Sequence, residues 1–528
     1  MISLALSQSE ILKEEVYLFE KLGQSNREPM THLQAICFLR PTESTLEDLK
    51  KELRDPKYGT YYLFFTNTVS EQYLREIAYA DELEVVKEVH EYYADYYAVN
   101  ADTWHLGMRG PGVLDANQSV WSGSVLSRIT DGLAACLLSL KVRPSVRVQR
   151  TSSLAMQVGQ SIKSRIENSS TFHVGQTKQN APLLLIMDRN EDPVTPLLTA
   201  WTYQAMLHQI LNMHNNRMDL SHVPNIREEL KQVVVSSTQD DFYKEHMYDD
   251  FGDLGVAIKD FVDQFSRETH SNSKLESIED IKRFVEQYPN FRKTSGSVSK
   301  HVALMSELQR QVGQRKLLEV SKVEQELACH EEHDGAVVNV GQLLRIPGGI
   351  SNNDALRVVL LYALRYASRP DNHMEEYVNI LLRDYQIPEQ QLIAIRLVRE
   401  WSAPSKRSPG LDLLDNASWL SSVSDKMKRG LVGVQNIFTQ HQPLLKKILT
   451  LVKEQKLDPS AYPFVVGQPS KAPPTDIIVF IVGGITFEEA AMIHSLKAAN
   501  DGFSYVLGGT GLVRPDDFIK DMLEIKRV

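Results

Sequence analysis

Leu183-Leu-Leu-Ile-Met187 runs five residues without a polar side chain and is closed by Asp188-Arg-Asn-Glu-Asp-Pro193. A short, wholly apolar run ended by turn residues predicts a strand buried on both faces. Its equal stands near the other end of the chain, Ile477-Ile-Val-Phe-Ile-Val482, followed by a helix from Thr486 and a third buried run at Tyr505-Val-Leu507. These late strands are too few for a sheet of their own. One sheet, begun before residue 195 and completed after about 430, accounts for both ends. The residues between are then an insertion. From Pro196 to about Ala403 helical periodicity dominates, with Val233-Val-Val235 as a rare strand-like run and further helices predicted at 342–367 and 373–400.

Ahead of the buried strand, Ala35-Ile-Cys-Phe-Leu39 and Tyr61-Tyr-Leu-Phe-Phe65 enclose a helical stretch carrying Leu46, Leu49 and Leu53, with Thr45 or Ser44 as its N-cap. Strand, helix, strand within about 30 residues is a βαβ unit, which implies a parallel sheet. Gly107-Met-Arg-Gly-Pro-Gly112 reads as a linker. The fold class is α/β. Residues 1–108 form an N-terminal α/β domain, 109–195 with 431–528 a discontinuous α/β domain, and 196–430 a mostly helical domain.

Of the 528 residues, 42% are hydrophobic and 24% charged, the balance of a soluble globular chain. Acidic residues number 68 and basic residues 58, a net charge of −10. Such a chain has no global attraction for nucleic acid or anionic lipid. No apolar run approaches the roughly 20 residues that a membrane-spanning helix needs. Met1-Ile-Ser-Leu-Ala-Leu-Ser7 lacks the basic start and long apolar stretch of a secretory signal. Cys37, Cys136 and Cys329 fall outside any CxxC spacing, which points to a reducing compartment and to neither a disulfide framework nor a zinc site.

Catalytic candidates are few. Asp188 and Asp192 bracket Arg189-Asn-Glu191 just past a strand end, where open α/β sheets bind ligands, and two carboxylates there suit a metal or an acid–base pair. The competing reading is an ion-paired domain junction, with Asp192-Pro193 opening a turn. Gly483-Gly-Ile-Thr486 leads from a buried strand into a helix, the place for a phosphate-cradling loop. Neither GxGxxG nor GxxxxGK[ST] occurs there, and Thr486 with Glu489 is explained as a capping box. A nucleotide- or metal-dependent α/β enzyme would have to use these residues. His330-Glu-Glu-His333 lacks HExxH spacing and is expected in a solvated loop. Without a phosphate-loop lysine, a nucleophile elbow or a Cys/His pair, no catalytic, cofactor-binding or metal-ligating residue is assigned.

Within the insertion, Ile278, Ile281, Phe284, Val285 and Tyr288 keep helical spacing until Pro289, which resists helix at the residue before it. Val298, Val302, Met305, Leu308 and Val312 resume the spacing, and it continues less regularly to Leu327. Two antiparallel helices near 277–327 would form a hairpin. It serves either as ordinary core or as a platform for another helix.

Asp188-Arg-Asn-Glu-Asp-Pro-Val-Thr-Pro-Leu-Leu198, running into Trp201-Thr-Tyr-Gln-Ala-Met206, resembles the domain junction of the SM (Sec/Munc-type) regulators of SNARE-mediated membrane fusion. Asn26-Arg-Glu-Pro29, Asn215-Asn-Arg217, Tyr288-Pro289, Ser299-Lys-His301, Val323-Glu-Gln-Glu-Leu-Ala328, Leu360-Leu-Tyr362, Tyr462-Pro463 and Ile481-Val-Gly-Gly484 are similar to that family in the same order. Val434-Gln-Asn-Ile-Phe-Thr-Gln-His-Gln-Pro443 and Tyr203-Gln-Ala-Met206 look most like its endosomal and trans-Golgi branch. The resemblance implies a three-domain arch, with two parallel-sheet α/β domains and the helical domain inserted in the second. It implies a non-enzymatic protein without cofactor that clasps a syntaxin-type SNARE in the cavity between the first and third domains. It also implies capture of the syntaxin N-terminal peptide on the first domain and templating of vesicle-side SNAREs by the hairpin. Such a protein promotes vesicle docking and fusion in endosomal, trans-Golgi and vacuolar transport. It is cytoplasmic, and reaches Golgi, trans-Golgi and endosome membranes only peripherally, through its SNARE.

Carried over residue by residue, the resemblance places Glu20 toward the SNARE in the central cavity. Leu74, Ile77, Val86 and Val89 match the N-peptide pocket, with plain core as the alternative for these four. Pro289 with Phe291 occupies the hairpin bend. One departure stands out. Family members usually begin with a helix and a first strand ahead of the region matching Ile2-Ser-Leu-Ala-Leu-Ser7, and that strand lies inside the sheet. The first domain is therefore expected to lack it, leaving unpaired backbone and uncovered apolar faces.

Overall fold

In the computed structural model the described residues are 11–524, except 13, 25, 111–112, 114–122, 169–171, 173–180, 225, 269–295, 331, 410, 412–438, 471 and 500–501. The N-terminal part alternates strand and helix: β1 (Met30–Leu39), α1 (Glu43–Arg54), β2 (Tyr58–Phe65), α2 (Glu71–Ala80) and β3 (Val86–Glu91). The strands pair in parallel in the order β1-β2-β3. α1 is capped by Thr42, whose hydroxyl accepts from the Thr45 amide, rather than by Thr45 or Ser44. Thr42 is the last extended residue after Pro41, so the helix starts two residues earlier than a Ser44 cap would set it. Leu46, Leu49 and Leu53 of α1 and Ile77 of α2 close over Leu39, Tyr61, Leu63 and Phe65.

β4 (Tyr97–Ala98), β5 (Thr103–His105), α3 (Gly123–Ser139), β6 (Ser145–Val148), α4 (Ser153–Asn168) and β7 (Leu183–Asp188) follow. The insertion then holds α5 (Tyr203–Gln209), the antiparallel pair β8 (Arg217–Asp219) and β9 (Gln232–Val234), α6 (Asp241–His246), α7 (Phe251–Glu268), α8 (Gly296–Gln314) and α9 (Leu317–Cys329). It continues through α10 (His333–Leu344), α11 (Asn352–Tyr366), α12 (Met374–Arg383) and α13 (Glu389–Trp401). The chain returns with α14 (Leu444–Lys453), β10 (Phe464–Val466), β11 (Asp476–Val482), α15 (Phe487–Ala498), β12 (Ser504–Gly509) and α16 (Pro515–Glu524).

The large sheet runs β10-β6-β7-β11-β12-β5-β4. β11 pairs in parallel with β7, Ile478 against Leu184 and Phe480 against Ile186, so the two apolar runs that frame the insertion lie side by side. Both faces of β7 are dry: Leu184 and Ile186 pack with α3 and α4, while Leu183, Leu185 and Met187 face the core shared with the insertion. That is why the run has no polar alternation. β4 and β5 belong to this sheet as well, so the Gly107–Gly112 linker does not separate the two sheets. Gly508 of β12 lets Trp104 lie against the strand and stack on Phe480. A Cβ there would come within 2.2 Å of the indole.

Several predicted helices are shorter than their apolar patterns. The stretch 342–367 is broken by Pro347-Gly348-Gly349, where both glycines take positive φ, 80° and 68°. The stretch 373–400 is broken at Pro388, which caps α13. α8 and α9 divide at Lys316, a left-handed residue at φ 52°. Pro289, Phe291 and the helix expected over 277–288 lie outside the described residues. Among the described residues no helix is long and apolar enough to cross a membrane.

Candidate functional site

The turn after β7 collects charge where the protein is driest. Residues Asp188 to Asp192 are each at most 6% exposed. Burying charge is costly unless every group is paired, and here each is. The Ser152 hydroxyl donates to Asp188 Oδ2 at 2.6 Å and the Asn190 amide to Oδ1 at 3.0 Å. Arg189 Nη2 donates to Glu489 of α15 at 2.7 Å and to the Gly484 carbonyl at 2.9 Å. Glu191 accepts from Gln149 and, at 3.0 Å, from the Ser408 amide. Asp192 accepts from the Val194 and Thr195 amides and, at 3.0 Å, from the Leu444 amide that opens α14. One turn thus ties the early and late halves of the large sheet to both ends of the insertion.

The geometry corrects the enzyme reading of Asp188 and Asp192. Their oxygens are committed to backbone and hydroxyl donors behind a closed surface, so neither presents a carboxylate to substrate. The Gly483–Thr486 turn is closed in the same way. Thr486 and Glu489 form the predicted capping box, a Cβ on Gly484 would meet Val513 at 2.5 Å, and Thr510 takes the Gly483 amide. Burial pushes Asp188 above the usual carboxylate range. It also pushes Asp192 up, but His441, Arg189 and Thr195 outweigh it and hold that group below.

Burial lifts Glu191 to about 7, with the Ser408 bonds opposing. An acid raised from about 4.5 holds its proton longer when folded, so its contribution to stability is complete below the unfolded value and falls as pH rises through 7. Glu191→Gln should therefore stabilise the protein at pH 8 by up to about 3 kcal/mol and change little at pH 4.5. Urea unfolding of both proteins at the two pH values checks this, and an equal difference at both would refute it.

Further joints are built from the other segments singled out in the sequence. Glu324 of α9 accepts from the Thr199 amide at 2.7 Å and pairs with Arg357 of α11 at 2.6 Å. His301 of α8 bridges Tyr203 at 2.7 Å and Asp240 at 2.9 Å. His333 is not in a solvated loop. It is 7% exposed at the start of α10, with Nε2 2.9 Å from the Tyr362 hydroxyl, while His330 meets Gln440. Nothing near His333 in sequence could signal a tyrosine arriving from α11. Sequence reasoning likewise missed Gln149, Ser408 and His441, whose role exists only once distant segments meet; the one available sign was four charged residues among the five after a buried strand.

The interaction candidates divide by burial. Leu74 and Val89 are exposed, at 40% and 42%. Val86 is half-buried against the small core, and Ile77, 3% exposed, is part of that core. The structure thus brings Leu74 and Val89 to the surface of the N-terminal unit and withdraws Ile77 from it. Glu20 accepts from the Tyr58 hydroxyl and lies 3.8 Å from Arg27, which in turn binds Glu52. Pro289 and Phe291 lie outside the described residues.

Known proteins match this chain over nearly its whole length. Vacuolar protein sorting-associated protein 45 of Dictyostelium discoideum is 42% identical over 523 residues, covering 99% of this chain and 91% of the relative. The human protein of the same name is 41% identical over 524 residues, covering 99% and 90%. A solved structure of the SM protein Vps45 in complex with the Qa SNARE Tlg2 (1–310) superposes with a TM-score of 0.87 at 41% identity, covering 99% of this chain and 92% of that one. The Sec1 family pattern extends over residues 1–521. With the family pattern matched over residues 1–521 and relatives 41–42% identical over nine-tenths or more of both chains, this chain belongs to the Sec1 family.

Proposed function

We propose that this protein binds a syntaxin-type SNARE and promotes vesicle docking and fusion between endosomes, the trans-Golgi network and the vacuolar route. The observation that carries the reading is its likeness, at 41% identity over nearly the full chain, to Vps45 solved with the Qa SNARE Tlg2. The function is binding rather than catalysis, which agrees with a charged turn spent on holding the fold together. Glu20 would meet the SNARE in the central cavity, and the exposed Leu74 and Val89, flanked by Val86, would receive the syntaxin N-terminal peptide. The protein would work in the cytoplasm and reach Golgi and endosome membranes through its SNARE. Purified full-length chain presented with a panel of syntaxin cytoplasmic domains should retain one or a few of them selectively. Retention of none would overturn the proposal.

The hairpin assignment rests on sequence. Pro289 disfavours helix at Tyr288, and replacing it by alanine removes a local penalty of about 3 kcal/mol. Pro289→Ala should then extend helix through Phe291, raise affinity for a vesicle-side SNARE or speed SNARE assembly, and leave N-peptide binding unchanged. Hydrogen exchange should show new protection at 289–296. Wild-type protection together with wild-type assembly rates would remove the templating role.

A further inference from the structure

The core of the N-terminal unit, built on Leu49, Leu63 and Phe65, and the core over α3 and α4, built on Leu133, Val148 and Ile162, share no side chain among the described residues. What joins the two units there is polar. Asp95, 1% exposed, lies between β3 and β4 and is held to α3 twice: Arg128 Nη1 donates to its Oδ2 and Nη2 to its carbonyl, both at 3.2 Å. Gly132, inside α3, makes that approach possible. A Cβ there would come within 2.8 Å of Arg128 Nη1 and 3.1 Å of the Asp95 carbonyl oxygen. The other carboxylate oxygen, Oδ1, accepts from Arg40 Nε at 2.7 Å, immediately past the end of β1. A second tie reaches α3 from just past β2, where Asn67 Nδ2 donates to the Asp131 carbonyl at 2.8 Å. Asp131 is paired in turn with Arg165 of α4.

We propose that Arg40 and Asn67 are positioning residues: through Asp95 and the 128–132 stretch of α3 they set the angle at which the N-terminal unit is carried, and with it the grip on a SNARE that touches both that unit and the insertion. The inference rests on the SNARE-binding function proposed above. Two units without a common apolar core move relative to one another by default, so their angle depends on directional bonds of this kind. The joint is adjustable. The Arg40 side chain is 42% exposed, and its bond to Asp95 exchanges readily with water. Arg128, 17% exposed, stays with Asp95 when Arg40 leaves, so releasing the N-terminal unit strands no buried charge. The Arg189–Glu489 pair is the opposite case, with both side chains 1% exposed. Ties from two neighbouring strand ends converge on about one turn of α3, which makes a pivot and not a broad seam.

Arg40→Gln combined with Asn67→Ala removes both ties. Spin labels at Lys51→Cys on α1 and Val338→Cys on α10, both exposed, with the half-buried Cys37 replaced by alanine, report the distance between the N-terminal unit and the insertion by double electron–electron resonance. The parent should give a narrow distribution and the double variant a broadened or shifted one. Arg40→Lys, which keeps the charge, should keep the parent distribution. Arg40→Gln alone should show the same change in smaller measure, which covers the case in which Asn67→Ala does not fold. Affinity for a syntaxin cytoplasmic domain should fall about tenfold if one molecule in about ten keeps the competent angle. Affinity for the isolated N-peptide, bound within the N-terminal unit, should not change. An unchanged distance distribution would overturn the proposal. So would a broadened distribution with parent SNARE affinity, or an equal loss of N-peptide affinity, which would put the defect inside the N-terminal unit. If the parent binds no syntaxin, the functional reading fails by itself, and the distances alone decide whether Arg40 and Asn67 hold the joint.

Discussion

Arg189→Ala is expected to lower the unfolding free energy by about 3–5 kcal/mol, because it leaves the Glu489 carboxylate buried without its partner. Both side chains are 1% exposed, and Arg189 also holds the Gly484 carbonyl. Burial already pushes Glu489 up, with Arg189 opposing it, so losing the guanidinium should drive the group toward its neutral form. Adding Glu489→Gln to Arg189→Ala should recover part of the loss, since the amide no longer buries a charge and its oxygen can still accept from the Thr486 amide. Chemical denaturation of the two single variants and the double variant gives the coupling directly. Additive losses would show that the pair does not lock the sheet. Any loss of SNARE binding by Arg189→Ala should track the folded fraction, as the residue lies at the junction and not at the surface.

Val89→Arg should cost at least about 2 kcal/mol in syntaxin N-peptide affinity, roughly thirtyfold, without changing the melting temperature. Val89 is exposed, so the new charge stays in water when the peptide is absent. Ile77→Arg is expected to behave differently. Its side chain packs with Leu39, Leu46 and Leu63, and a guanidinium there has no partner, so the N-terminal unit should unfold. Calorimetry with a synthetic N-peptide, together with thermal melts, separates the two cases. Unchanged peptide affinity in folded Val89→Arg would remove the pocket assignment.

The same four residues show how far local sequence reaches. Leu74, Ile77, Val86 and Val89 are alike in composition and spacing, and they were expected to line one slot or to be plain core. Their exposures differ because α2 turns only one face to the sheet, and because among the described residues β3 pairs with β2 on one side only. Helical spacing identifies a face but not what covers it. Pocket membership therefore needed the neighbours.

For the fold, the chain alone determined the elements with local causes. Two short uninterrupted apolar runs closed by turn residues read as strands dry on both faces, and their placement at either side of a helical stretch made a discontinuous sheet the economical reading. Thr486 with Glu489 set a helix start, because a capping box is satisfied within four residues. Only the tertiary structure decided that β4 and β5 join the large sheet, that Pro347-Gly348-Gly349 and Lys316 divide continuous apolar patterns, and that His333 is buried under Tyr362. It alone paired Arg189 with Glu489, Glu191 with Ser408 and Glu324 with Arg357. Periodicity and capping act over one or two turns of chain and leave a mark in spacing. A buried ion pair is chosen by whichever distant segment the packed core brings within 3 Å, and no local spacing records that.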